Sequence, residues 1–349
     1  MDAKKLTLSA KALREARKAG QVARPELMGG RVFANVVGMG VGVKWRGGAP
    51  TGDPALVVLV TQKLDKTALS KADLIPGELS GMQTDVLAIG YPFAYPFSRG
   101  VFPNPVTQEL TTRVRPAKGG YSISHPDVSA GTLGTCVYDI LPEGTVTPPQ
   151  PGVGVPSRYY LLSNNHVIAA SNAASIGDPI LQPGTADGGS DPADRIANLT
   201  RFIPIRLYPP VPLEEQNNLV DAAIAEGPFD LLNREIYWSG YVRGWRLKED
   251  VTVGTVVQKT GRTTRYTTGR ITVIDASVDV NYGGGRVARF VDQIVTTNMS
   301  AGGDSGSLVT TLDNVAVGLL FAGSEVAMIA NQIENVRALL RVEVAEEIL

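Results

Sequence analysis

The chain has 349 residues, enough for about two domains that each bury a hydrophobic core. Its formal net charge is −1, so the charge balance gives no reason to expect a nucleic acid or another polyanion as a partner. The 38 glycines and 23 prolines favour short strands joined by turns, which argues against a helical bundle.

The cysteine content and the apolar segments bear on where the protein works. Cys136 is the one cysteine, so the chain cannot form an internal disulfide, and this favours a reducing compartment. The N-terminal segment has no apolar core of signal-peptide length, and no other stretch approaches the roughly 20 apolar residues of a membrane span. We therefore expect a cytoplasmic protein that makes no membrane contact.

Residues 1–90 predict a small α+β domain. Ser9 is placed as an N-cap and Gly20 as a terminator for a helix over 10–19. The sequence GMGVG at 38–42 has the glycine spacing of a phosphate-binding loop, but strand-like residues follow it where such a loop needs a helix. The strand candidates of this domain are 32–45, 55–62 and 84–90, and its second helical stretch is 66–74.

The rest of the sequence predicts an all-β body between two smaller segments. Residues 91–118 contain five prolines and are typical of an extended connector. Residues 119–330 alternate short strands with glycine-rich turns, as closed barrels do, and residues 331–349 hold an amphipathic helix and a tail. The strand candidates are 131–140, 157–166, 201–207, 218–226, 251–260, 267–280, 292–298, 306–311 and 315–323.

One acidic loop, at 184–195, carries Asp187, Asp191 and Asp194. Carboxylates of this kind can hold calcium, but a solvated loop is the simpler interpretation. We expect neither a metal site nor a cofactor.

The strongest chemical signal is SAGGDSGS at 300–307. A nucleophilic serine needs a tight turn that presents its hydroxyl group, and the glycines beside Ser305 permit such a backbone. The amides of Gly303 and Ser305 would then form an oxyanion hole, which stabilises the charge that develops on a carbonyl oxygen.

His166 and Asp221 are the partners that such a serine needs. The chain has two histidines, and His125 lies in a turn-like SHPD segment, so His166 is the better general base. Asp221 lies in the apolar segment NLVDAAIA, where a carboxylate is costly to bury without a partner. We expect it to accept a hydrogen bond from His166 Nδ1, which leaves Nε2 to take the serine proton.

In this order, His166, Asp221 and Ser305 resemble the catalytic triad of the trypsin-like serine peptidases, and the resemblance covers about residues 118–330. A further match, QKTGRTTRYTTGRI at 258–271, is similar to a structural hairpin of the bacterial α-lytic-protease and streptogrisin types. The resemblance implies a mainly β fold, a chymotrypsin-like double β-barrel preceded here by the small α+β domain. It also implies a serine endopeptidase that acts on a protein or peptide substrate.

The same resemblance implies where the side chain before the cleaved bond would bind. The floor and one wall of that pocket are expected at Met299, Ser300, Phe321, Ala322 and Gly323. No acidic residue stands at the floor, which argues against a lysine or arginine preference, and no histidine is left over for a glutamate preference. We expect cleavage after apolar or small side chains.

A narrower resemblance rests on NVVGMGVGVK, the GTLG strand and LSNNHV. These segments are similar to a group of cytoplasmic bacterial peptidases related to the plant narrow-leaf regulator peptidases, which implies an N-terminal domain packed beside the protease and a homo-oligomer. Trypsin-like peptidases that are activated by cleavage bury a new N-terminus against the aspartate before the serine. Asp304 stands at that position, but no activation sequence opens the barrel. The oxyanion hole is therefore either preformed or controlled by the N-terminal domain or an assembly partner.

Two other functions stay open. A protease-fold scaffold would keep the three residues idle and bind partners through its N-terminal domain. A nucleotide-dependent regulator would bind through GMGVG, and replacement of Gly40 would weaken that binding.

Overall fold

The computed structural model describes residues 3–29, 33, 35–94, 109–140 and 158–344, so part of the predicted connector lies outside the described residues. Its helices are α1 (Ala10–Met28), α2 (Asn165–Ile168) and α3 (Ile333–Leu340). The strands of the N-terminal part are β1 (Val36–Arg46), β2 (Ala49–Val60), β3 (Glu78–Leu79) and β4 (Met82–Ala88). Those of the middle part are β5 (Ala117–Gly119), β6 (Ser122–Ile123), β7 (Gly131–Thr132), β8 (Thr135–Asp139), β9 (Tyr159–Ser163), β10 (Pro179–Leu181), β11 (Arg195–Phe202), β12 (Ala223–Gly227) and β13 (Leu232–Ile236). Those of the C-terminal part are β14 (Gly244–Trp245), β15 (Val256–Gly261), β16 (Arg265–Asn281), β17 (Val287–Thr297), β18 (Leu308–Thr311), β19 (Val315–Gly323), β20 (Ala327–Gln332) and β21 (Val342–Glu343).

The first barrel is a closed ring built from the middle part of the chain. Its hydrogen-bonded order is β10, β11, β12, β9 and β8, and β7 leads directly into β8. The strand β6 pairs with β7, and Ser124 just after β6 exchanges two backbone hydrogen bonds with Leu181 of β10. These last bonds close the ring around a core of buried aliphatic side chains.

The second barrel is also closed and carries the predicted nucleophile. Its order is β15, β18, β19, β20, β17 and β16, and β16 pairs back with β15. Two closed six-membered rings of antiparallel strands confirm the predicted mainly β, chymotrypsin-like double-barrel fold. The strand predicted at 315–323 coincides with β19, because an apolar run bounded by turn residues gives a sharp signal.

The N-terminal strands extend the sheet of the second barrel. The strand β1 pairs with the long strand β16, and β2, β4 and β3 follow outward. A Cβ atom on Gly40 would lie 2.4 Å from Val273 Cγ1 and 2.8 Å from Ile274 O, so only glycine lets β1 approach β16 here. This packing explains GMGVG, and β1 continues through Arg46 where a phosphate loop needs a helix N-terminus. The boundary at residue 90 stays a prediction.

Helix α1 packs on this extended sheet. Ser9 caps it as predicted, since its hydroxyl accepts a hydrogen bond from Ala12 N at 3.2 Å. The predicted end at Gly20 is wrong, because the buried stripe of the helix continues through Ala23 and Leu27 to Met28. No helix among the described residues is long and apolar enough to cross a membrane.

Two other predicted elements are much shorter in the structure than the sequence predicts. The helical stretch at 66–74 is reduced to one 3-10 turn, Lys66–Ala68. The strand expected at 201–207 ends at Phe202, because Pro204 has no amide to donate and the Asn172 side chain holds Ile205 by two hydrogen bonds of 2.8 and 2.9 Å. The chain here forms an irregular link between β11 and the segment that carries Asp221.

Candidate active site

Two asparagines fix the turn that carries His166. The apolar strand β9 ends at Ser163, and α2 begins two residues later. The side-chain amide of Asn164 donates from Nδ2 to the main-chain oxygen of Asp221 at 2.7 Å. The side-chain amide of Asn165 donates from Nδ2 to Ile203 O at 2.8 Å. The SNNHV segment is therefore a side-chain-anchored helical turn, which holds the imidazole against the first barrel.

His166 and Asp221 form the pair that the sequence predicts. The ring atom His166 Nδ1 lies 2.6 Å from Asp221 Oδ2, and the His166 amide donates to Asp221 Oδ1 at 3.1 Å. Asp221 is fully buried and lies just before β12, while His166 is 4% exposed. This arrangement assigns the Nδ1 proton to the carboxylate side and leaves Nε2 as the basic atom.

Asp221 has a third donor that the sequence analysis missed. The Tyr282 hydroxyl donates to Asp221 Oδ2 at 2.7 Å, from the turn after β16. Burial, together with the Asp221 charge, raises the pKa of Tyr282 well above its usual value, so the phenol stays protonated and keeps donating. From β20, Asn331 Oδ1 accepts the Asp221 amide at 3.1 Å, so both barrels hold this residue.

The loop before β18 has the tight backbone that a nucleophilic serine requires. Gly303 and Gly306 adopt φ angles of +95° and +96°, which glycine tolerates best. Among the described residues, no acceptor is bonded to the amides of Gly303 and Ser305, whereas the neighbouring amide of Asp304 donates to Ala301 O. The two amides predicted as an oxyanion hole are therefore available to a ligand oxygen.

The buried carboxylate of Asp304 locks this loop to the β15–β16 hairpin. Lys259 Nζ lies 3.2 Å from Asp304 Oδ2, and both side chains are fully buried. Burial lowers the pKa of Lys259, and the Asp304 charge opposes that shift. The carboxylate also accepts hydrogen bonds from the amides of Thr263, Thr264 and Ala301 and from the Thr264 hydroxyl.

Thr132 connects the first barrel to the loop that carries Ser305. Its amide donates to Ser305 O at 2.7 Å, and its hydroxyl donates to Gly303 O at 2.8 Å. Ser163, three residues before His166, packs so closely on Gly306 that a Cβ atom there would lie 2.2 Å from Ser163 Oγ. These contacts bring the histidine turn and the serine loop together at the junction of the two barrels.

Ser305 and His166 are not hydrogen-bonded to each other. His166 Nε2 is buried and has no hydrogen-bond partner among the described residues, and the Ser305 hydroxyl has none there either. Both residues are 4% exposed. An unpaired buried ring nitrogen is unusual in a folded protein and is typical of a group kept for a ligand or a reaction.

The cavity beside Ser305 contains part of the predicted specificity pocket. Ser300, Ala322 and Gly323 line it, together with Phe93, Ala301, Leu320 and Ser324. Met299 and Phe321 are outside the lining and belong to two separate hydrophobic cores. Phe321 precedes Ala322 in β19, and successive side chains of a strand point to opposite faces, so the Phe321 ring points away from the cavity.

The acidic loop is neutralised by protein groups. Asp187 pairs with Arg262, Asp191 pairs with Arg195 at 2.7 Å, and Asp194 pairs with Arg113 at 3.1 Å. The described residues contain no cluster of acidic, histidine or cysteine side chains arranged to hold a metal. His125 is also used elsewhere, since its Nε2 lies 3.1 Å from Asp178.

No protein-family model and no curated protein sequence matches this chain. Among solved structures, Thermobifida fusca protease A is 15% identical, over 66% of this chain and 98% of that chain, with a TM-score of 0.43. Cellulomonas bogoriensis chymotrypsin is 16% identical over 66% and 98% of the two chains, with a TM-score of 0.42. Nocardiopsis protease NAPase is 16% identical over 65% and 97%, with a TM-score of 0.43. At these identities and TM-scores the neighbours say nothing about what this chain does, and the narrower resemblance stays a prediction.

The Lys259–Asp304 pair yields a stability prediction. Lys259→Met leaves a buried carboxylate without its cation, so we expect the free energy of unfolding to fall by about 3 kcal/mol. Urea denaturation of Lys118→Met is the matched control, because its 2.9 Å pair with Glu235 is partly exposed and is worth less than about 1 kcal/mol. Equal losses in the two variants would contradict a special role for the buried pair.

Proposed function

We propose that this chain is a serine endopeptidase that cleaves peptide bonds through an acyl-enzyme on Ser305. The observation that carries the proposal is the buried Asp221–His166 pair, whose Nε2 has no partner in the described part of the chain and lies at the junction with the tight Ser305 turn. A base oriented by a carboxylate and a serine beside two unbonded amides are the parts of an acyl-transfer site.

In the proposed reaction, Ser305 Oγ adds to the substrate carbonyl carbon while its proton passes to His166 Nε2. Asp221 stabilises the imidazolium that forms, and the Gly303 and Ser305 amides bind the oxyanion. His166 then returns the proton to the leaving amine as the C–N bond breaks. Water repeats the sequence on the ester and releases the acid. The contact between Ser305 Oγ and Nε2 forms when substrate binds, as is common for catalytic hydrogen bonds.

The oxyanion hole is preformed in this proposal. A new N-terminus is unnecessary, because the internal Lys259 supplies the cation that pairs with Asp304. The Thr263 hydroxyl donates to Gly302 O and the Ser307 amide donates to Asp304 O, and these two peptide units contain the Gly303 and Ser305 N–H groups, so both N–H groups keep their orientation before substrate arrives. The expected cytoplasmic location and homo-oligomeric assembly stay predictions.

A fluorophosphonate probe tests the nucleophile. We expect it to label the protein on Ser305 and to lose all labelling in Ser305→Ala, since the probe bonds covalently to an activated serine hydroxyl. Ser307→Ala is the matched control, because its hydroxyl is two residues away and donates to Asp304 O. A folded wild-type protein that never reacts would support the idle scaffold instead.

Tyr282 is a positioning residue in this proposal. Tyr282→Phe removes one donor from a buried carboxylate, so we expect kcat for peptide hydrolysis to fall roughly 10-fold with little change in KM. Tyr266→Phe is the control, because the Tyr266 hydroxyl donates to Gln258 Oε1 within the β15–β16 hairpin. A fall in stability with unchanged kcat would show that Tyr282 only supports the core.

The cavity beside Ser305 sets the proposed cleavage preference. With Phe93 in place its volume is only about 20 Å³, and the described residues that line it include no charged side chain. We expect a peptide library to be cleaved after alanine, serine or other small residues, well ahead of lysine, glutamate or phenylalanine. Preferred cleavage after a charged residue would contradict this assignment.

A further inference from the structure

One edge of β19 beside Ser305 is paired with the protein's own chain. The strand β20 covers one edge of β19 as far as Gly323, while β18 pairs with the other edge only up to Leu319. Beyond that point Phe93 takes the place of β18. The Phe93 amide donates to Gly323 O at 3.0 Å, and the Gly323 amide donates to Phe93 O at 3.0 Å, in an antiparallel bridge.

The segment Pro92–Ala94 also makes two main-chain hydrogen bonds on its other side, both with Asn281. The Ala94 amide donates to Asn281 O at 3.1 Å, and the Asn281 amide donates to Pro92 O at 3.0 Å. Pro92 and Ala94 are buried. Pro92–Ala94 is thus a short added strand that fills the space between the ends of β16 and β19.

This added strand lies beside the proposed nucleophile. Phe93, Gly323 and Ser305 line the same small cavity. An extended peptide commonly binds a protein by adding a strand to an open sheet edge, with main-chain hydrogen bonds supplying affinity. The main-chain groups of Gly323 that would serve this purpose next to Ser305 are already bonded to Phe93.

We infer that Pro92–Ala94 is an autoinhibitory strand, which occupies in cis the edge of β19 that an extended peptide must pair with to reach Ser305. The inference rests on the proposed function and concerns the regulation of the same site. Any peptide in an extended conformation would compete with Pro92–Ala94, because the hydrogen bonds that hold this segment to Gly323 are main-chain bonds. Release of the strand lowers the peptide concentration needed to occupy the site, because only the open state binds peptide.

Two covalent probes separate access of a peptide from reactivity of the serine. A small alkyl fluorophosphonate needs no strand pairing, whereas an acetyl-tetrapeptide diphenyl phosphonate ending in alanine does. Phe93→Pro removes the amide that donates to Gly323 O, so we expect the peptidyl probe to react about 10-fold faster with this variant. The small probe should react with both proteins at rates within about twofold of each other. Tyr91→Ala is the control, because this neighbouring aromatic is 66% exposed and lies outside the bridge.

Hydrogen exchange on the wild-type protein gives a second measurement that needs no variant. We expect the Phe93 amide to be protected in the free protein and to exchange at least about 10-fold faster once the peptidyl probe has reacted. The Gly323 amide should stay protected, because the bound peptide takes over its hydrogen bond.

The outcomes distinguish the two proposals. Peptidyl-probe rates that are equal in wild type and Phe93→Pro, with a Phe93 amide that stays protected after labelling, would overturn the autoinhibitory strand while Ser305 reactivity stands. No reaction of either probe with either folded protein would overturn the proposed function and this inference together. Faster peptidyl reaction confined to Phe93→Pro, with Tyr91→Ala equal to wild type, supports the inference.

Discussion

The buried charge of Asp221 is the constraint on which the arrangement of both barrels depends. Removing a carboxylate from water costs several kcal/mol, and no lysine or arginine among the described residues pairs with it. Its donors come from the His166 turn of the first barrel and from Tyr282 of the second. The carboxylate therefore has its full set of donors only when the two barrels are docked, so barrel docking completes the environment of the His166–Asp221 pair.

A second buried carboxylate, Asp304, is satisfied in a different way. Its charge is cancelled by Lys259, so it does not oppose the negative charge that would develop at the adjacent Gly303 and Ser305 amides. Asp221 has no lysine or arginine partner among the described residues, so in the proposed reaction its charge remains to stabilise a protonated His166. In that reaction the two carboxylates would prepare the site for charges of opposite sign.

Local signals in the sequence account for the parts of the site that could be predicted. The Gly-Asp-Ser-Gly turn needs glycine at positive φ, and His166 was the one suitable histidine, so both could be predicted without knowledge of the fold. Tyr282 could not, because it contacts a residue 61 positions away and its NYGGG surroundings are typical of an ordinary turn. Of the residues predicted for the pocket, Ser300, Ala322 and Gly323 line the cavity beside Ser305, but Met299 and Phe321 lie in hydrophobic cores, because the direction of a side chain depends on local backbone geometry that the sequence does not specify.

The long strand β16 connects these features physically. Its 17 residues pair with β15 and β17 of the second barrel and with β1 of the N-terminal sheet. At its end, Asn281 binds the Pro92–Ala94 strand through its main chain, and the next residue, Tyr282, donates to Asp221. The strand that covers the β19 edge and the phenol that supports the base are therefore anchored at adjacent positions. The N-terminal sheet and the phenol that donates to Asp221 are therefore joined through one strand, β16, so the α1-covered sheet packs on the same framework as the proposed site.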